Sequence, residues 1–348
     1  MSGRVYLDWN ASAPLCAAAK AAIIRATDVV GNPSSVHGAG RAAKNLVETA
    51  RKQVSDAFGV SNGDVVFTSG ATEAAAIALA GRNLTCSPVE HDAVLAWCTQ
   101  NLITDAAGQI LAPEPAKNCV QMANGETGIV QHLPLGLAVC DATQAFGKIP
   151  LDFDSLGCEM AVISAHKFGG PTGVGALVLK KGLDVVARNR GGGQEMGRRS
   201  GTENLIGIAG FGAAAQSAVK DVKDGIWEQV KVLRDRMEAA MLTSVPSARV
   251  IGDQANRLPN TSCIITPDWK GETQVMALDL AGFSISAGSA CSSGKVKPSL
   301  VLQAMGVSAQ ASQCAIRVSL GPDTTEAEVM KFADAWAQAQ KRYVAKAA

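Results

Sequence analysis

The chain has 348 residues, 47% of them apolar, which suits a soluble globular protein with one large core or two domains. Its 32 basic and 31 acidic residues leave a net charge of +1, and no block of like charge steers it toward nucleic acid or an anionic membrane. The nine cysteines are scattered and lack a C-x-x-C pair, which fits a reducing cytoplasm better than a disulfide framework or a structural zinc site.

From the N-terminus, Met1-Ser2-Gly3-Arg4 leads directly into Val5-Tyr6-Leu7-Asp8 with no apolar leader. Leu46, Val47, Ala50, Val54, Ala57 and Phe58 recur at helical spacing and predict an amphipathic helix over Arg41 to Phe58. The β-rich run Val65 to Thr68 passes through Ser69-Gly70-Ala71-Thr72-Glu73 into a helix over Thr72 to Ala80. Asn83 to Ser87 is a further strand-like run, and it places His91 at a strand end. Strands are then expected at Cys119 to Met122, Leu137 to Cys140, Met160 to Ser164 and Val174 to Leu179. These runs are apolar throughout, as strands buried on both faces of a parallel sheet should be. Residues 124–136 are barely enough for a parallel crossover, which takes roughly a dozen, so at most one or two helical turns are expected there. Helical pattern dominates from Glu203 to Leu242, and its most apolar part, Leu205 to Val219, is too short to span a bilayer. The tail reads as strand Thr261 to Thr266, helix Glu272 to Leu280, strand Ala315 to Leu320 and a last helix, with Thr325-x-x-Glu328 as its capping box. This order predicts an α/β fold with a large, mainly parallel-sheet domain over residues 12–247. A smaller α+β domain is expected over 248–348, joined to it by residues 1–11.

Two strand ends set an acid beside a lysine: one run closes in Asp141-Ala142-Thr143-Gln144, the next in Ser164-Ala165-His166-Lys167 before a glycine-rich turn. A pyridoxal-phosphate enzyme needs a lysine to hold the cofactor as a Schiff base and an acid to keep its ring nitrogen protonated. Alone, a strand ending in His-Lys reads as a solvated strand end, so the other motifs decide. At Ser69 to Glu73 the free amides of a helix start and the Thr72 hydroxyl can hold a phosphate, although such a turn can also merely cap a helix. Gly191-Gly192-Gly193 followed by Arg198-Arg199-Ser200-Gly201-Thr202 is either a second anion-binding segment or a solvated glycine loop. His91 at the C-terminal edge of a parallel sheet faces the place where such folds bind ligands, and there it could stack on a pyridine ring and shuttle protons. His37 and His132 have no comparable setting. Cys291 lies in Ser286-Ala287-Gly288-Ser289-Ala290-Cys291-Ser292-Ser293-Gly294-Lys295, a run of small residues, and the nearby Lys295 and Lys297 favour a thiolate. Cys140 and Cys314, by contrast, sit in apolar segments as buried structural thiols do. Arg317 is a charge inside an apolar strand, so it requires a partner, and a substrate carboxylate held bidentately is a natural one.

With these segments in this order, the chain resembles the cysteine desulfurases, pyridoxal-phosphate enzymes of the class V aminotransferase family with the fold-type I architecture. The similarity runs from Tyr6-Leu7-Asp8 through Gly31-Asn32-Pro33-Ser34-Ser35 to Arg317-Val318-Ser319-Leu320-Gly321. The resemblance implies that Lys167 forms the internal aldimine, Asp141 pairs with the pyridine nitrogen, His91 stacks on the ring and Gln144 contacts the phenolic oxygen. It gives Ala71, Thr72, Ser164 and His166 to the phosphate, with Thr202 reaching it from the partner subunit of a homodimer. Cys291 would take the sulfur of L-cysteine as a persulfide and release alanine, while Arg317 and Asn32 hold the substrate. The loop around Cys291 resembles the long, mobile form that passes sulfur to iron–sulfur scaffold or carrier proteins.

The chain departs from the resemblance at two places. Relatives carry two adjacent asparagines before Glu-x-Gly; here the run is Ala123-Asn124-Gly125-Glu126-Thr127-Gly128, so the cofactor contact falls on glycine and is either missing or taken over by Asn124. Segments between Asn101 and Cys119 and between Gln131 and Leu137 are short, and Ala348 closes the chain without a longer tail. The expectation is a homodimeric, cytoplasmic L-cysteine desulfurase with pyridoxal 5'-phosphate, a sulfur-acceptor protein as partner, and no metal, nucleic acid or membrane. The rivals are another class V enzyme, such as a selenocysteine lyase or an aminotransferase, and a sulfur-relay partner that has lost turnover. An aminotransferase needs no thiol where Cys291 stands.

Overall fold

The computed structural model describes residues 3–288 and 298–347, so Cys291, Lys295 and Lys297 lie outside the described residues. The chain opens with β1 (Val5–Tyr6), α1 (Ala17–Thr27) and α2 (Gly38–Ala57), and His37 caps α2 by accepting from Gly40 N at 3.3 Å. Next come β2 (Gly63–Thr68), α3 (Ala71–Leu79), β3 (Thr85–Cys86), α4 (Asp92–Leu95) and β4 (Thr99–Gln100). The centre holds β5 (Cys119–Gln121), β6 (Val139–Asp141), α5 (Phe153–Leu156), β7 (Met160–Ser164) and β8 (Gly175–Lys180). Two long helices follow, α6 (Leu205–Lys223) and α7 (Ile226–Ser244). The remainder is β9 (Arg249–Val250), β10 (Thr261–Ile265), α8 (Gly271–Leu280), β11 (Phe283–Ser284), β12 (Ser286–Ala287), α9 (Leu300–Ala304), α10 (Ala309–Ser312), β13 (Ala315–Ser319) and α11 (Glu326–Ala347).

The central sheet has the order β2-β8-β7-β6-β5. Because side chains alternate along a strand, its apolar runs feed two cores at once. Val65, Phe67, Ala161, Ile163, Ala176 and Val178 join the core that also holds Val47, Val54 and Phe211 from α2 and α6. Their neighbours Val66, Met160, Val162, Leu177 and Leu179 join the opposite core with Ala74, Ala78 and Leu79 of α3. The result is a sheet buried between two helical layers, which is why no polar face was visible in these segments.

Strand direction differs from the sequence expectation at one place. β5, β6 and β7 are parallel, as expected, but β8 runs antiparallel to both β7 and β2. Apolar runs report burial and not direction. Residues 165–174 are too few for a crossover, so the chain turns back on itself. Between β5 and β6 there is no helix; instead the chain forms a small hairpin, bridging Ala123 to Val130 around Gly128 at φ 79. That hairpin docks on residues 256–258 through Val130 N to Asn256 O and Leu258 N to Gly128 O. The helical region 203–242 is broken between α6 and α7, where Gly225 at φ 74 takes a left-handed conformation open to glycine at little cost.

The C-terminal sheet is antiparallel, with order β12-β13-β10-β9, and β1 pairs in parallel with β11. α7, α8 and α11 cover it through Trp227, Met237, Leu278, Phe332 and Trp336. The anticipated capping box forms: Thr325 N donates to Glu328 Oε2 at 2.8 Å, and Glu328 N to Thr325 Oγ1 at 3.3 Å. No helix among the described residues is long and apolar enough to cross a membrane.

Candidate active site

The carboxyl ends of the parallel strands β2, β6 and β7 lie on one side of the sheet and open onto a cavity of about 1040 Å³. Ligands bind at this edge of an α/β sheet because strand ends and helix starts converge there. Asp141 ends β6, and its Oδ1 accepts from Thr143 N at 2.9 Å. Ser164 ends β7, and one 3-10 turn later Lys167 enters the cavity wall, where Nζ donates to Asn10 O at 2.8 Å and Ala11 O at 3.0 Å. Gln144, Ser164, His166, Asn124, His91 and Arg317 line the same cavity, as do Ala71 and Thr72 at the start of α3.

His91 sits in a turn after β3 and begins α4, its Nδ1 accepting from Ala93 N at 3.1 Å, rather than at a strand end. Burial, reinforced by the charges of Lys167 and Lys148, pushes His166 down to about 4, so its ring is neutral at pH 7. The Arg317 guanidinium is buried and already partnered within the chain: Nη2 donates to Asp8 Oδ1 at 2.8 Å and Ser286 Oγ at 3.2 Å, Nη1 to Gly125 O at 3.2 Å. Its Nε has no hydrogen-bond partner.

Two expected residues are not brought to this cavity within one protomer. Asn32 is exposed, its Oδ1 accepting from Ser34 N at 2.9 Å in a local turn. Thr202 lines a separate small cavity with Glu195 and Arg199, on the far side of Ser69 and Gly173. Asn124 reaches the cavity, but its amide is engaged by its own turn: Oδ1 accepts from Glu126 N and Thr127 N at 2.9 Å, and Nδ2 donates to Val89 O at 3.1 Å. It therefore shapes the hairpin. A Cβ on Gly125 would stand 3.1 Å from Gln144 Nε2, so glycine here lets Gln144 pack against the backbone.

Three buried groups escaped the sequence reading. Burial pushes the Glu90 carboxyl well above the usual carboxylate range, Asp141 reinforcing the shift, and its Oε2 has no hydrogen-bond partner. Glu126 is raised by burial too, against the opposing pull of Ser299 and Arg317. Lys148 is 2% exposed and touches Asn10 and Gln144. The available signal was a lone charge in the otherwise apolar run Ala145 to Leu151.

Pyridoxal phosphate, implied by the resemblance, fits these residues. The α3 start has no side-chain cap, leaving amide donors at the cavity for a phosphate, and the buried Thr143 Oγ1 beside Asp141 lacks a partner. Gly175, opposite both Thr68 and Ser164, permits this turn to close in: a Cβ there would lie 2.7 Å from the Gly70 backbone.

The fold is that of a known enzyme class. The family model Aminotransferase class-V matches residues 5–100 and 98–332, and the chain belongs to that family. It is 41% identical to a cysteine desulfurase of Cereibacter sphaeroides, over 94% of this chain and 93% of that one. Identity to a cysteine desulfurase of Gluconacetobacter diazotrophicus is 37%, over 95% and 92%. The X-ray structure of a NifS-like protein from Rickettsia africae superposes with a TM-score of 0.88 at 29% identity, covering 97% of this chain and all of that one.

Proposed function

We propose that the chain is a pyridoxal-phosphate-dependent L-cysteine desulfurase, releasing L-alanine and retaining the sulfur as a persulfide on Cys291. The observation that carries this reading is the convergence of Lys167, Asp141, His91 and Arg317 on one cavity, whose wall includes Gly288 and Pro298, the residues flanking the Cys291 segment. When bound, the cofactor supplies an electron sink for charge developing at the substrate α-carbon. Lys167 Nζ anchors it and carries the α-proton. Asp141 would hold the proton on the ring nitrogen, and His166 with Ser164, Thr72 and Ala71 would hold the phosphate. Arg317 is kept in one plane by Asp8, Ser286 and Gly125 O, and its second Nη1 N–H is left for the substrate carboxylate, one donor in place of the bidentate hold expected from sequence. The Cys291 thiolate attacks the substrate sulfur: the new S–S bond forms as the C–S bond breaks, and the carbon takes up a proton.

In this reading the enzyme is a cytoplasmic homodimer in which Thr202 reaches the partner's phosphate site, and it hands sulfur to an acceptor for iron–sulfur cluster assembly or thiolation. The proposed division is 12–247 and 248–348 with residues 1–11 joining them; α7 packs its Trp227 and Met237 into the C-terminal core, so limited proteolysis that cuts first near residue 247 supports this division and a first cut near Gly225 moves the boundary there. The deciding experiment is Cys291→Ala. The variant should bind cofactor and show the same spectral change with L-cysteine, yet release almost no alanine or sulfide. Alanine formed at the wild-type rate would replace this reading with a lyase or an aminotransferase.

A further inference from the structure

We propose that Lys148 is a positioning residue: a buried side chain that, by donating to both, fixes the amide orientations of Asn10 and Gln144, so that the cavity presents an N–H beside Lys167. The inference rests on the pyridoxal-phosphate reading above. Lys148 is 2% exposed and Asn10 wholly buried. Lys148 Nζ donates to Asn10 Oδ1 at 2.8 Å and to Gln144 Oε1 at 2.9 Å.

A carboxamide has two nearly equivalent faces, one donating and one accepting, and little but its hydrogen-bond partners distinguishes them. Charged or neutral, Nζ carries at least two N–H donors, and with one spent on Asn10 Oδ1 and one on Gln144 Oε1 both amides turn oxygen toward it. For Asn10, Nδ2 is then directed to Gly125 O at 3.1 Å and Thr261 Oγ1 at 2.8 Å. The Thr261 hydroxyl in turn donates to Asn260 Oδ1 at 2.9 Å, and Asn260 Nδ2 returns to Asn10 Oδ1 at 3.0 Å. Every donor in this ring meets an acceptor in one arrangement only. For Gln144, Nε2 is directed to Asn10 O at 3.0 Å, the same carbonyl that accepts from Lys167 Nζ. Its second N–H is left for the cavity that Gln144 lines. Flipped, Gln144 would present a carbonyl oxygen there, which repels an anionic ring oxygen instead of binding it.

Burying an ammonium is unfavourable, and burial together with the facing charges of Lys167 and Arg317 holds Lys148 well below the usual lysine range. A methionine of similar reach would avoid that penalty, so a lysine at this place calls for a role beyond packing.

The experiment compares the pH midpoint of the bound cofactor's absorbance in the wild type, Lys148→Met, Gln144→Ala and the double variant. Loss of one hydrogen bond to the ring oxygen should raise the midpoint by about one pH unit in Lys148→Met. Gln144→Ala should give a similar rise, and the double variant no more than either, because both changes remove the same contact. Additive shifts, or a Lys148→Met midpoint equal to the wild type, overturn the proposal, as does a variant that loses stability with the midpoint unmoved. Should Lys148→Met fail to fold, Lys148→Gln carries the test. Glutamine brings an acceptor and permits the flip, so the midpoint should rise by a smaller amount, and a wild-type value overturns the proposal. Alanine release by the wild type is scored separately. Its absence would sink the desulfurase reading alone, since the midpoint depends only on bound cofactor.

Discussion

Asp141 and Lys167 end adjacent segments of one sheet, but their proposed tasks separate cleanly by substitution. Asp141→Asn should retain cofactor while slowing turnover by several orders of magnitude, because the ring nitrogen loses the carboxylate that favours its protonated form. Single-turnover absorbance measurements check this, and near-normal turnover would assign Asp141 elsewhere. Arg317→Lys keeps the charge but not the planar fork, so KM for L-cysteine should rise on the order of tenfold to a hundredfold with cofactor still bound. His166 adds a pH dependence of folding. Its ring titrates near 6.5 in an unfolded chain and at about 4 here, so the folded state excludes a proton that the unfolded state binds. The stabilisation is complete above about pH 6.5 and is lost as pH falls toward 4. Urea unfolding of His166→Gln should show a smaller loss over that window than the wild type; equal losses would remove His166 as the cause. Cys16 and Cys98 are partly exposed and will alkylate too, and only modification of Cys291 should track lost activity.

Among the elements, burial was legible and direction was not. The runs at Cys119, Met160 and Val174 announced strands covered on both faces, and the capping box at Thr325 announced the last helix to the residue. Nothing in Val174 to Leu179 encodes that β8 turns back, since side-chain alternation is the same in either direction. The site was legible where chemistry concentrates in motifs. Lys148, Glu90 and Asn10 were not, because a single polar residue gains meaning only from the partners the fold brings to it, such as Asn10 for Lys148, Asp141 for Glu90 and Asn260 for Asn10. Two substitutions test elements directly. Thr325→Ala removes the cap of α11 and should lower stability by about 1 kcal/mol in chemical denaturation, without changing cofactor binding. Gly175→Ala sets a methyl against the Gly70 backbone, and this overpacking should cost about 1–3 kcal/mol while weakening cofactor retention. A fully stable Gly175→Ala that holds cofactor as the wild type does would mean the turn can yield.

Across the whole molecule, the segment around Asn10 ties the first residues of the chain to nearly the last. Val5 pairs with Phe283, Trp9 N donates to Ser319 O, and Asn10 N donates to Ser319 Oγ at 3.0 Å. The carbonyl that receives Lys167 Nζ belongs to that segment. During synthesis the amino end leaves the ribosome first, yet it cannot be seated until β13 has emerged. Contacts this distant in sequence form late and slowly. A chain halted before Ala315 should therefore build its central sheet but fail to retain cofactor on Lys167 after borohydride reduction. If so, the reactive lysine is completed only after β13 has been made, and shorter chains would not consume cofactor.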